Sequence, residues 1–204
     1  MVMAFLFIAV LTLGWFWPLV GLAVPGCFFL AVGIGIFKGR KWCDWFCPRG
    51  SFFDALVKPL SPRTGIPGFF RKRSFQYTVL SVFCLMVLSN LISRWPDLRS
   101  IGRFFLVLLG MTTGIGVILG LIFQERSWCS FCPAGFLAGL AGKNKGQTKI
   151  VPRLCSGCRI CDRVCPMQIS PSELKKPQAS SFRASDCIQC RLCIMACPTK
   201  ALGK

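Results

Sequence analysis

The sequence predicts a chain in two parts: an α-helical membrane domain of four transmembrane helices, or three on a stricter count, arranged as two duplicated hairpins, and then a small cysteine-rich domain. Three observations predict it. Long runs carry no charged side chain, one cysteine motif recurs at the ends of two such runs, and the last third holds eight cysteines in two identical spacings.

Composition narrows the chemistry first. The chain has 204 residues, 53% of them hydrophobic, with a mean hydropathy of +0.58, too apolar for a disordered tail or an ordinary soluble domain. It contains no histidine. That excludes haem held by an axial His, CxxCH attachment, mixed Cys and His zinc sites and any His general base. What remains is cysteine, present 14 times.

The stretches Val2–Phe37, Ser74–Ser93 and Phe104–Gln124 are free of charge. About 20 apolar residues cross a bilayer, so each of the last two predicts one helix. The first, at 36 residues, is too long for one span and is interrupted at Gly14–Pro18. It predicts two helices, Val2–Gly14 and Leu19–Phe37, turning at a Trp-rich corner, the first short enough that three spans remain an alternative. A cleaved signal peptide is the other reading of this start, which lacks a basic leading region and a small-residue cleavage site. Gly33, Gly35, Gly110, Gly114, Gly116 and Gly120 predict close helix contacts, and Cys27 and Cys84, outside any pattern, predict simple packing.

Orientation follows from parity. The segment Lys38–Arg73 and everything after Glu125 are separated by two spans and share one side. The first holds Lys38, Arg40, Lys41, Arg49, Lys58, Arg63, Arg71, Lys72 and Arg73, while the opposite loop has only Arg94, Arg99 and Arg103. The positive-inside rule makes the basic side cytoplasmic. That side is reducing, which favours metal ligation over disulfides. Much of the +18 formal charge is then a topology signal and an attraction to anionic membrane lipid, and a nucleic-acid partner is not expected.

The domains predicted are a membrane domain 1–141, a polar and basic linker 142–152, and a cysteine-rich domain 153–204. In the last, Cys155, Cys158, Cys161 and Cys165 read CSGCRICDRVCP, and Cys187, Cys190, Cys193 and Cys197 read CIQCRLCIMACP. Three thiolates on a tight loop cap three irons of a cubane while the fourth serves the other cluster. The spacing therefore assigns Cys155, Cys158, Cys161 and Cys197 to one [4Fe-4S] cluster and Cys187, Cys190, Cys193 and Cys165 to a second. Pro166 and Pro198 end the helices that present the remote ligands. Structural zinc is the competing reading, although it prefers two separated CxxC pairs. These motifs resemble those of bacterial ferredoxins with two [4Fe-4S] clusters. The resemblance covers Leu154 to about Leu202 and implies a small α+β ferredoxin-like domain of two βαβ-like halves.

The membrane part has its own repeat. Phe37–Phe52 reads FKGRKWCDWFCPRGSF and Phe123–Leu137 reads FQERSWCSFCPAGFL, sharing FxxRxWC and FCPxG. Neither copy has thiolates enough for a cubane, but Cys43, Cys47, Cys129 and Cys132 make four if the hairpins face each other. A third [4Fe-4S] cluster across that interface, a dithiol redox switch and plain interfacial packing are the three readings. Trp42 and Trp128 fit interfacial anchors or cluster shields. Arg40 and Arg126 fit hydrogen bonds to cluster sulfurs or snorkelling lipid contacts.

With these features together, nearly the whole chain resembles the membrane iron-sulfur proteins of the NapH, NosR and CcoG type, MauN-like proteins included. Two departures stand out: the chain is short at its N-terminus, and its second motif, CSFCP, is one residue shorter than the family's CxxxCP. The resemblance implies a multi-pass protein of the bacterial or archaeal cytoplasmic membrane, with both CP motifs and the ferredoxin-like domain facing the cytoplasm. It implies a quinol dehydrogenase-like component exchanging electrons between menaquinone or ubiquinone and a cytoplasmic oxidoreductase or carrier subunit, within a hetero-oligomeric complex. An anchor and relay without a quinone site, or a metal- or thiol-reducing assembly factor, are the alternatives. No catalytic residue is assigned. Tyr77, Gln76, Asp54 and Glu125 are quinone-site candidates by position, and the absence of charge inside the spans argues against ion pumping.

Overall fold

The Trp-rich corner is where the first helix gives way to the second, because Pro18 presets φ and brings no N–H that would be left unpaired. The computed structural model describes residues 2–142, 148–175 and 184–203. Residues 143–147 of the predicted linker, and 176–183 between the two cysteine runs, lie outside the described residues. The membrane part runs α1 (Val2–Phe16), a 3-10 turn at Pro18–Leu22, α2 (Ala23–Lys38), the short α3 (Lys41–Trp45) and α4 (Pro48–Phe52), then the long α5 (Arg73–Arg94) and α6 (Leu98–Ile122), and α7 (Pro133–Ala141).

Three helical stretches are long and apolar enough to cross a membrane: Pro18–Lys38, Arg73–Arg94 and Leu98–Ile122, of 21, 22 and 25 residues. At 15 residues, α1 reaches only about 22 Å against a hydrocarbon core of about 30 Å. The lengths thus favour the stricter count of three.

Burial is inverted relative to a soluble protein. Phe29, Leu85, Ile92, Met111 and Ile118 are exposed, whereas Arg40, Gln76, Gln124, Glu125, Arg126 and Ser130 are buried. Water-soluble folds almost never bury Arg fully unless it is paired. Here Arg126 is among the largest fully buried side chains. Apolar groups line the outside of the long helices, as a membrane-spanning bundle requires, and polar groups gather at the end of the bundle that carries both CP motifs.

The glycine expectation holds on one face only. Gly35 meets Ala138 of α7, and Gly116 and Gly120 meet Phe53 and Val57. Gly33, Gly110 and Gly114 face open space, because helical spacing points them away from the neighbours that Gly35, Gly116 and Gly120 touch. Cys27 and Cys84 are exposed.

In the cysteine-rich part, β1 (Lys149–Ile150) pairs antiparallel with β2 (Leu202–Gly203), with Lys149 opposite Gly203. Between them lie α8 (Ile160–Arg163) and α9 (Leu192–Met195). The two halves repeat one backbone course. Arg159 and Arg191, both left-handed, cap the two helices, and the carbonyls of Cys165 and Cys197 accept from the N–H of Gln168 and Lys200. Each helix stops two residues before its remote cysteine, ahead of Pro166 and Pro198. The strand content among the described residues is this one short pairing, less than two βαβ halves.

This domain is docked on the CP-motif end of the bundle. Gln189 Nε2 donates to the Lys38 carbonyl (2.7 Å), Arg71 to the Met167 carbonyl (2.7 Å), and Arg73 to Ser185 Oγ (2.7 Å). Gln168 Oε1 accepts from the Ile66 N–H (2.8 Å), and its amide nitrogen bonds Gln124.

Candidate metal centre

Each CP dipeptide opens a helix. Cys47 and Cys132 are the N-caps of α4 and α7, with Pro at the first helical position, where its missing N–H costs nothing. Helix α4 packs on α1, and α7 crosses to pack on α2. The second repeat is thereby brought against the first.

The arginines of the two repeats are exchanged between them. Arg40 donates to the carbonyl of Cys129 (2.6 Å), and Arg126 donates to the carbonyl of Cys43 (3.0 Å). The glycines of the two CPxG turns make room for this. A Cβ on Gly50 would lie 2.8 Å from Arg126 Nη1, and one on Gly135 would lie 2.6 Å from Arg40 Nη2. The shared FxxRxWC and CPxG residues are one reciprocal clasp.

Each arginine also has a carboxylate. Arg126 Nε donates to Asp54 Oδ1 (2.9 Å), and its Nη2 pairs with Asp54 Oδ2. Arg40 lies 4.0 Å from Asp186 Oδ1 and donates to the Asp186 carbonyl (3.4 Å). The clasp therefore reaches the cysteine-rich domain through Arg40. The expected Arg-to-sulfur bonds fall instead to Arg49, whose Nη2 donates to Cys132 Sγ (3.3 Å) and Nη1 to Thr112 Oγ1 (3.1 Å).

Cys43, Cys47, Cys129 and Cys132 line one cavity of about 270 Å³. Its walls include Trp42 and Trp128, so both indoles are walls of this cavity. Trp128 is buried, which ends its reading as an interfacial anchor. The remaining wall is mostly apolar, from Leu6, Phe7, Val24, Phe28, Phe83 and Leu109 among others. Among the described residues, no group of three Cys, Asp or Glu side chains is gathered as for a single metal ion. Four thiols lining one cavity match the ligand number of a [4Fe-4S] group. Burial pushes the Cys43 thiol up to about 12, despite Arg40, and raises that of Cys129 despite Arg126.

In the cysteine-rich domain, Cys165, Cys187, Cys190 and Cys193 line a second, smaller cavity. This is the four-thiol set that the remote-ligand rule assigns, so the residues fit a [4Fe-4S] group here too. Burial raises the Cys190 and Cys193 thiols to about 11 and about 12. Thiols so held stay protonated at neutral pH without metal, and metal binding must release those protons. Cys155, Cys158, Cys161 and Cys197 lie on the outer part, Cys158 exposed. Burial, with Asp162 beside it, pushes Cys161 to about 11.

The two four-thiol cavities are neighbours. Cys43 and Cys129 pack against the apolar cluster of Cys165, Met167, Ile169 and Ile188, which Cys187 and Cys190 also touch. By contrast, none of the four quinone-site candidates lines the larger cavity. Gln76 donates to the Ser130 carbonyl (2.7 Å), and Asp54 is committed to Arg126. Glu125 is buried with Oε2 unpartnered among the described residues, and Tyr77 is half exposed against Phe136. Sequence reasoning missed Arg49, although Arg49 stands where the second repeat has Ala134, and that difference was the available signal.

Residues 20–67 and 104–152 each match the family model of a 4Fe-4S binding domain, and 154–202 match that of a 4Fe-4S dicluster domain. The chain is 27% identical over 183 residues to the uncharacterized protein MJ0749 of Methanocaldococcus jannaschii, covering 85% of this chain and 68% of that one. It is 26% identical over 155 residues to the methylamine utilization ferredoxin-type protein MauN of Methylobacillus flagellatus, covering 71% and 54%. It is 23% identical over 185 residues to the putative electron transport protein YccM of Escherichia coli, covering 81% and 50%. The chain thus spans about half the length of MauN and YccM. No solved structure matches. Both CP repeats and the eight-cysteine region fall inside these matches, so the chain carries 4Fe-4S ferredoxin-type domains and is a distant homologue of proteins named as ferredoxin-type and electron transport proteins.

Proposed function

We propose that this protein is a membrane-bound iron-sulfur electron-transfer subunit that links the quinone pool to a cytoplasmic redox partner. The observation that carries the reading is the packing of Cys43 and Cys129 against the same apolar cluster as Cys165, Cys187 and Cys190. It sets the four membrane thiols directly beside the inner thiol set of the cysteine-rich domain. When bound, [4Fe-4S] groups supply one-electron transfer without net bond making. Cys43, Cys47, Cys129 and Cys132 would hold one. Cys165, Cys187, Cys190 and Cys193 would hold a second, and Cys155, Cys158, Cys161 and Cys197 a third. Arg40, Arg126 and their carboxylates hold the repeats in register, while Trp42 and Trp128 keep water from the thiols.

The apolar wall of the larger cavity, built from α1, α2, α5 and α6, supports access for a lipid-soluble quinone. The basic segment 38–73 supports a cytoplasmic placement of this end by the positive-inside rule. The partner is an oxidoreductase or carrier subunit of a hetero-oligomeric complex. The second reading, an anchor and relay without a quinone site, is favoured by the commitment of Gln76 and Asp54 to structural bonds.

Stopped-flow mixing of dithionite-reduced, fully loaded protein with a menaquinone analogue separates the two. Reoxidation sensitive to quinone-site inhibitors supports the first. No reaction with full iron content supports the relay.

A further inference from the structure

The two CP turns differ at one position. Arg49 in Cys47-Pro48-Arg49-Gly50 stands where the second repeat has Ala134. Its guanidinium crosses the interface: Nη2 donates to Cys132 Sγ (3.3 Å), Nη1 donates to Thr112 Oγ1 (3.1 Å), and the plane lies 5.2 Å from the centroid of the Trp128 ring. Thr112 spends its own hydroxyl proton on the Leu108 carbonyl (2.8 Å), which leaves its lone pairs for Arg49. The side chain is held from three directions and borders the four-thiol cavity.

The thiol opposite is served differently. Cys47 Sγ accepts the Gly50 backbone N–H (3.4 Å), and Ala134, which stands in the second repeat where the first has Arg49, has no guanidinium to donate in return. Arg40, which also lines the cavity, and Arg126 donate to backbone carbonyls and are faced by Asp186 and Asp54. Among the described residues no carboxylate pairs with Arg49. Its guanidinium donates directly to a ligand sulfur.

We propose that Arg49 sets the reduction potential of the group held by Cys43, Cys47, Cys129 and Cys132, raising it by stabilising the extra negative charge of the reduced state. The inference rests on the cluster reading above. Its physical basis is that hydrogen bonds to the sulfurs and the net local charge tune cluster potentials, and that charge-assisted hydrogen bonds are the strong ones. The bond lies on one sulfur only, so the effect belongs to this site and leaves the eight cysteines of the C-terminal domain untouched. Arg49 acts here as a positioning and tuning residue.

The test uses the full chain in detergent, as wild type, Arg49→Gln and Arg49→Lys. Iron and sulfide per chain are measured first, then the clusters are titrated with EPR detection. In Arg49→Gln with full iron, the reduced-to-oxidised ratio of one cluster at a fixed poise falls about tenfold, as expected for losing about 1.4 kcal/mol of a charged hydrogen bond. The other two clusters titrate as in wild type, and Arg49→Lys falls between. Unchanged titration of all clusters in fully loaded Arg49→Gln overturns the proposal. If Arg49→Gln loses iron, Arg49→Lys decides: loaded and shifted supports it, loaded and unshifted overturns it, and loss of iron in both makes Arg49 a folding residue and also overturns it. A wild type with only two clusters overturns the underlying reading itself, and is seen before any variant is titrated.

Discussion

The two CP repeats share a motif but not a situation. Both arginines grip the carbonyl of the other repeat's first cysteine, yet Arg126 finds its carboxylate inside the membrane domain, at Asp54, and Arg40 finds its own across the domain boundary, at Asp186. The Arg126 pair is therefore closed within the helical bundle, whereas the Arg40 pair is also a joint to the cysteine-rich domain. The shared motif residues make the clasp, and the different places of Asp54 and Asp186 make it asymmetric.

Breaking the self-contained half is expected to have the largest effect. Arg126→Ala leaves Asp54 and the Cys43 carbonyl unpartnered and lowers stability by about 3 kcal/mol, at the low end for a broken buried pair because the Asp54 side chain is 40% exposed and screened. Thermal unfolding in detergent reads it. Loss below about 1 kcal/mol, the range of an exposed pair, would show the Arg126 clasp to be decorative.

Breaking the joint should do something different in kind. Arg40→Ala is expected to raise hydrogen exchange of residues 185–190 while the exchange of α6 stays near wild type, because Gln189, Arg71 and Arg73 still hold the domain. Equal loosening of α6 and 185–190 would mean that the two repeats are not distinct in this way.

The smallest effect concerns thiol reactivity in metal-free protein. Alkylation at pH 8 is expected to label exposed Cys158 well before Cys43, whose pKa of about 12 keeps it a thiol there. The sign is that raised pKa delays reactivity, so Cys43 labelling climbs only as pH approaches 12. Fast labelling of Cys43 at pH 8 would favour the redox-dithiol reading over cluster ligation.

How much of this was legible in the sequence depends on the distance over which each interaction acts. Charge-free runs, the CP duplication and the cysteine spacing are local patterns, and the structure keeps them. The convergence of Cys43, Cys47, Cys129 and Cys132 on one cavity followed from treating the repeats as a pair. Bonds from Arg40 and Arg126 to backbone carbonyls did not follow, because a carbonyl is offered by every residue and only the crossing of α7 over α2 selects one. Gly33, Gly110 and Gly114 looked the same as Gly35, Gly116 and Gly120 in sequence. Which face meets a neighbour is decided by packing alone. Gln168, which ties the Ile66 N–H to the docked domain, carries no motif.

The central claim is that the four membrane thiols jointly hold a [4Fe-4S] group. Iron and acid-labile sulfide per chain, measured side by side in wild type and Cys129→Ser, test it most directly. About 12 of each falling to about 8 is the predicted result, since four iron and four sulfide belong to each cluster. The same iron and sulfide content in both proteins would contradict it.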